Sequence, residues 1–280
     1  MKKTVLIFWV ISSIQTAFAQ EESAQPLEVQ SFDCGTDCKA TLYDNGLLKI
    51  TPTAETGSMT SYEAPELGPD LGRLTTAPWA DYKDDIFSIE VSDGITNVGY
   101  GCFTGLKNVT DVKIADSVIT LGVLAFADET GLENVTLGNS VKTLGKYAFA
   151  NTFLNNINLP DGLEKIDEYA LWATRASSYT IPDSVTEIGR GAFYNTGGNK
   201  VYCKDIDERC EKLFFGDTNT YLSRNQLIKY TKEGDRYVSN SQRYKSLKDL
   251  INNNPVKHIY TINEANAVTG TTNTFSIRYR

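Results

Sequence analysis

The sequence predicts a repeat solenoid, mainly β, whose parallel strands stack turn upon turn with short irregular or helical turns between them. A small α+β C-terminal module is expected to follow. Three observations carry this expectation. Four apolar columns recur with one shared spacing through residues 86–203. The stretch leading into each repeat alternates apolar and polar residues. The charge changes sign near residue 220: residues 20–220 hold 15 basic and 31 acidic residues, whereas residues 221–280 hold 10 and 4.

Residues 1–19 read as a signal peptide. Lys2 and Lys3 are a positive start, Val5 to Val10 begin an apolar core, and Ala17-Phe18-Ala19 is a small-x-small cleavage signal. The run is too short to span a bilayer, and no later stretch is apolar enough, so no transmembrane segment is expected. Residues 20–85 read as an N-terminal cap and lead-in. Within them Leu42-Tyr43, a turn at Asp44-Asn45-Gly46 and Leu47-Leu48 to Ile50 form a hairpin pattern, while 20–32 and 52–75 are polar and expected to be loose.

The repeats occupy residues 86–203. One column is Phe103, Phe126, Phe149, Leu171 and Phe193, at spacings of 23, 23, 22 and 22. The columns Val91/Ile114/Leu137/Leu159/Ile181, Ile95/Val118/Val141/Leu163/Val185 and Val98/Leu121/Leu144/Ile166/Ile188 keep the same spacings. An apolar residue at the same place in every turn stacks on its neighbours and makes one continuous core. Ile89-Glu90-Val91, Val112-Lys113-Ile114, Val135-Thr136-Leu137, Ile157-Asn158-Leu159 and Tyr179-Thr180-Ile181 alternate with period two. Each reads as a strand with one buried face, and the five should stack about 4.8 Å apart in one parallel sheet. Gly99, Gly122, Gly145 and Gly189 are expected at a turn of positive φ, with Asp167 standing in at the fourth turn.

Residues 204–280 form the C-terminal module. Leu227–Tyr230 and Arg236–Val238 flank a Glu233-Gly234-Asp235 turn, Ser246–Leu250 suggests a short helix, and Phe275–Tyr279 alternates as a closing strand. Thr261 and Glu264 have capping-box spacing, with Gly270 as a helix stop.

The run Ile181-Pro182-Asp183-Ser184-Val185-Thr186-Glu187-Ile188-Gly189-Arg190-Gly191-Ala192-Phe193 fits the pattern I-P-x-x-V-x-x-I-G-x-x-A-F. In this the chain resembles the BspA-like (treponemal-type) leucine-rich repeat surface proteins over roughly residues 34–203. The departures are Cys102 for Ala, Asp167 for Gly and Leu171 for Phe. The resemblance implies a leucine-rich-repeat solenoid that is secreted, periplasmic or at the cell surface, and that takes part in adhesion.

Five cysteines follow the signal peptide, and an oxidising compartment permits disulfides. Cys34–Cys38 and Cys203–Cys210 are the expected pairs because each is close in sequence, leaving Cys102 free in the small-residue column. His258 is the sole histidine and neither pair has CxxC spacing, so no metal is expected. No nucleophile elbow, phosphate-binding loop or His-Glu-x-x-His motif is present, so neither an enzyme nor a cofactor is expected. The acidic body makes nucleic acid an improbable partner.

The polar side of the sheet is the expected binding surface, with two ladders carrying Glu90, Asp111, Lys113, Asn134, Thr136, Asn156, Asn158, Ser178 and Thr180. Hydroxyls, carboxamides and mixed charge suit a protein or glycan ligand. The alternative is a structural envelope protein that docks through its basic C-terminal module.

Overall fold

A computed structural model describes residues 25–64, 73–196, 200–204, 210, 213–214, 227–233, 236–239, 242–244, 259–262 and 275–278. The signal peptide, the Ser246–Leu250 helix and the Gly270 stop lie outside these residues.

The chain opens as an antiparallel meander of β1 (Glu28–Thr36), β2 (Cys38–Tyr43) and β3 (Leu47–Pro52). Gly46, at φ +79°, supplies the left-handed turn between β2 and β3. Two stretches expected to be loose are ordered. Glu28–Phe32 belongs to β1, and β4 (Ser58–Met59) pairs with the far end of β1. β1 is a largely polar strand between β2 and β4: among its residues only Cys34 is buried, and Phe32 packs its ring on Trp79 and Tyr82, so it carries little hydrophobic signature.

Each repeat then supplies a front strand and a two-residue rear strand. In chain order these are β5 (Ser88–Val91) with β6 (Asn97–Val98), β7 (Asp111–Ile114) with β8 (Thr120–Leu121), and β9 (Asn134–Thr136) with β10 (Thr143–Leu144). The fourth repeat supplies only its rear strand, β11 (Lys165–Ile166). The fifth supplies β12 (Ser178–Ile181) and β13 (Glu187–Ile188). β14 (Lys200–Lys204) adds one more front strand, with Val201 opposite Tyr179.

The rear ladder runs unbroken in the order β13-β11-β10-β8-β6, whereas the front face divides in two. One front sheet ends at β9 and the next begins at β12, so the single five-strand sheet expected from the sequence is not formed. The break falls where the repeat shortens from 23 to 22 residues, in the turn between the Phe149 and Ile157 columns. In repeat three the Glu133 and Asn134 amides both donate to the Thr110 carbonyl, at 3.0 and 3.1 Å; in repeat four Asn155 reaches the Glu133 carbonyl only at 3.5 Å. Asn156–Leu159 forms no ladder, although Ile157 still buries its side chain; the equally short turns into β12 and β14 do lead into paired strands, so the break marks the change of period between the two front sheets.

Beyond β14 the front sheet continues through β15 (Leu227–Glu233), parallel to β14, and then antiparallel through β16 (Arg236–Ser239) and β17 (Gln242–Tyr244). β18 (Ile259–Ile262) and β19 (Phe275–Arg278) form a separate antiparallel pair. Thr261 is therefore a strand residue paired with Ser276 and does not cap a helix: the alternating Ile259-Tyr260-Thr261-Ile262 run prevails over the local capping spacing.

The core is one column of rings. Trp79 stacks on Phe103 at 5.6 Å, Phe103 on Phe126 at 5.1 Å and Phe126 on Phe149 at 5.3 Å, all fully buried. Trp79 thus caps the ladder, and its Nε1 donates to the Cys102 carbonyl. Leu171 interrupts the column. Phe193 beyond it tilts against Tyr179 at 4.9 Å, and Tyr179 is the one large ring in a front-strand column otherwise of Ile and Val. Its buried hydroxyl hydrogen-bonds with Thr174.

The glycine column has a different cause from the one expected. Gly99, Gly122, Gly145 and Gly189 lie outside the left-handed region. They are small because the turns touch: a Cβ on Gly145 would sit 2.7 Å from the Gly122 carbonyl carbon. The left-handed residues come two positions later, at Gly101, Leu124, Tyr147, Tyr169 and Gly191. A second left-handed column holds Gly105, Asp128, Asn151, Ala173 and Asn195. Asp167 likewise adopts no positive φ; it accepts the Glu168 amide on its own side chain.

Glu129 is fully buried and neither carboxyl oxygen has a hydrogen-bond partner among the described residues. Its counterparts Thr152, Thr174 and Thr196 each donate a hydroxyl to the carbonyl three residues back. Burial pushes the Glu129 carboxyl well above the usual carboxylate range.

Two outcomes follow. Phe149→Ala removes the middle of the ring column and should cost about 3–5 kcal/mol in denaturant unfolding; a loss below about 1 kcal/mol would deny the stack its role. Glu129→Thr should be more stable than the native protein by about 1 kcal/mol at neutral pH, because an unsatisfied buried group is removed. The folded state holds the Glu129 proton more tightly than the unfolded chain does. Native stability therefore falls as pH rises from the unfolded carboxyl value, about 4.3, toward the raised folded value. The gap between the two proteins should widen from pH 4 to pH 7, and parallel pH profiles would contradict the buried neutral carboxyl.

Candidate functional site

The front face is built from the strand residues that point away from the ring column. On β5, β7 and β9 the register aligns Ser88, Asp111 and Asn134 in one ladder and Glu90, Lys113 and Thr136 in the other, continuing Leu47 and Lys49 of β3. Lys49 Nζ lies 2.9 Å from Glu90 Oε1. Asp111 accepts from Asn134 Nδ2 at 3.0 Å and from the Thr110 hydroxyl at 2.6 Å. Glu90, Asp111 and Asn134 are thus paired, while the side chains of Ser88, Lys113 and Thr136 have no partner among the described residues.

Asn156 and Asn158 stand in the interruption, and Ser178 and Thr180 line its far side. With Asn155, Asp161 and Ser177 they surround a cleft of about 480 Å³, floored by Ile157, Leu159 and Pro182. Among the described residues none of those seven polar side chains has a hydrogen-bond partner. Asn155, Asp161 and Ser177 escape the alternation rule, because Ser177 precedes β12 and Asn155 and Asp161 bracket the Asn156–Leu159 stretch, which forms no strand. The shortened spacing after Phe149 is the sequence signal that marks them. On the far side Thr180 pairs with Tyr202, which is only 1 % exposed, so the open face ends there.

A smaller hollow of about 140 Å³ lies at the lead-in, where Arg73, Lys83 and Lys107 approach Asn108. Lys83 is paired with Asp84 there at 2.6 Å. Among the described residues no group of three or more His, Cys, Asp or Glu is placed to hold a metal ion.

A family profile, the BspA type leucine rich repeat region, matches residues 81–200 in six copies. Residues 81–200 are a BspA-type leucine-rich repeat array. Among solved structures, a leucine-rich repeat protein from Eubacterium ventriosum aligns with 26 % identity and a TM-score of 0.54, covering 75 % of this chain and 48 % of that one. This chain thus spans about half the length of that relative. A leucine rich cell surface protein from Faecalibacterium prausnitzii aligns with 19 % identity and a TM-score of 0.37, over 74 % of this chain and 60 % of the other. No curated protein matches the sequence.

Four of the five cysteines lie outside the repeat array, and Cys102 lies within it. Cys203, in β14, is disulfide-bonded to Cys210, with Cα atoms 6.0 Å apart. Cys34 and Cys38 are unbonded in this structure. Both are buried at the β1–β2 turn, and a hydrogen bond between the two thiols holds Cys34 up and Cys38 down from the ordinary cysteine value. Cys102 is buried in the small-residue column, donates to the Thr60 carbonyl at 3.3 Å, and is pushed up to about 12 by burial.

Cys102 should therefore resist iodoacetamide at pH 8 in the native protein and react fully in denaturant, since only the thiolate is nucleophilic. Mass mapping of alkylated peptides reads this directly. Rapid native labelling of Cys102 would contradict its placement.

Proposed function

We propose that this chain is an exported binding module of the cell envelope, and that the front face of its repeat array contacts a protein or glycan ligand. The observation that carries the reading is the polar front face. Glu90, Asp111, Lys113, Asn134 and Thr136 stand in register on one side of a rigid sheet, and Asn156, Asn158, Ser178 and Thr180 extend that side. A ladder fixed by backbone pairing presents its groups at constant spacing and loses little entropy on binding. Leucine-rich repeat arrays of this kind serve as binding modules, and the signal-peptide reading of residues 1–19 supports export. Envelope docking through residues 204–280 is the alternative, and it rests on their basic charge.

The purified protein on an array of extracellular-matrix proteins and glycans should retain a ligand. Lys113→Glu, Thr136→Glu and Asn158→Glu combined should weaken that binding at least tenfold with thermal unfolding unchanged, because these side chains are exposed. Lys142→Glu and Glu164→Lys, which reverse a rear ion pair, should leave binding intact. Equal binding by the front-face variant would reject the front face.

A further inference from the structure

The two halves of the front face differ in one respect. Between β5 and β9 part of the polar face pairs with itself through the Lys49–Glu90 and Asp111–Asn134 contacts, while Ser88, Lys113 and Thr136 stay open. In the repeat-four cleft the carboxamides and hydroxyls have no partner among the described residues, and they line a concavity of about 480 Å³. Polar groups left unpaired by the protein are satisfied by water or by a ligand.

We infer that this cleft is a recognition site for a neutral saccharide. The inference rests on the reading of the front face as a binding surface, and it names the ligand class. The chemistry of the lining selects that class. Asn155, Asn156 and Asn158 each offer both a donor and an acceptor from a carboxamide, and Ser178 and Thr180 add hydroxyls that do either. Adjacent sugar hydroxyls present the same alternation of donor and acceptor. The lining contains no lysine or arginine and its one titratable group is Asp161, so an anionic ligand meets no countercharge and a negative residue instead. An added peptide strand lacks room: Asn156–Leu159 already occupies the layer between β9 and β12, and those strands are three and four residues long. The fit to a saccharide also explains how the site coexists with a stable solenoid. Only the front ladder opens, while β11 remains paired to both β10 and β13 behind it.

No aromatic ring lines the cleft, so binding rests on hydrogen bonds alone and should be weak, with Kd on the order of 0.1–1 mM. The test is titration of the purified protein with maltohexaose, chitotetraose and mannohexaose, followed by ligand-observed saturation-transfer NMR. Hyaluronan oligosaccharide serves as the acidic control. At least one neutral oligosaccharide should bind in preference to the acidic one. Asn156→Ala with Asn158→Ala should weaken it at least tenfold, and Lys142→Ala with Glu164→Ala on the rear face should change it less than threefold. All these side chains are exposed, and unchanged thermal unfolding verifies the fold. Binding of neutral oligosaccharides that survives loss of both asparagines overturns the cleft while leaving the front-face reading standing. Retention of only protein or acidic ligands, sensitive to the front-face triple variant, overturns the saccharide assignment alone. Failure to retain any ligand overturns both.

Discussion

Everything in this structure depends on equivalent positions in successive turns meeting face to face. The ring column shows the constraint most clearly. Trp79, Phe103, Phe126 and Phe149 can stack only if each turn returns the chain to the same point one layer on. That requirement propagates outward. The turns lie so close that Gly122 and Gly145 have no room for a Cβ, and two left-handed columns bend the chain around every corner. Leu124, Tyr147 and Tyr169 adopt the left-handed conformation in spite of their side chains, at a cost of roughly 1 kcal/mol each, which the repeated packing offsets.

Repeat four is where the constraint loosens, and it does so in three linked places. The turn into it is one residue shorter, the ring column holds Leu171, and the glycine column holds Asp167. The core recovers because Tyr179 brings a ring from the next front strand against Phe193. The rear ladder recovers through β11. The front ladder does not, and the cleft is the result. The cleft and the structural irregularity therefore share one origin: the polar groups that line this concavity are those the broken ladder exposes.

Much of this was legible in the sequence. The four columns predict the solenoid, its buried face and its polar face, because stacking converts sequence period directly into burial. Leu42–Ile50 predicts the hairpin of the cap for the same reason. What the sequence concealed depends on contacts between turns. β1 buries only Cys34 among its residues and is held by backbone pairing and the half-buried Phe32, so it leaves no alternating apolar pattern. The glycine column looks like a φ requirement and is a requirement for proximity. The break at repeat four is visible as a change of period from 23 to 22, but not which of the two ladders yields. Asn155, Asp161 and Ser177 belong to the site through that break, and strand alternation alone passes over them.

The front ladder is open at repeat four while the rear ladder is continuous. Native-state hydrogen exchange measures this amide by amide. Residues 156–159 should exchange at least a hundredfold faster than 112–114 and 179–181, while Lys165 and Ile166 in the rear strand keep the protection of their neighbours in repeats three and five. Equal protection of 156–159 and the flanking front strands would contradict it, and would remove the structural basis of the cleft.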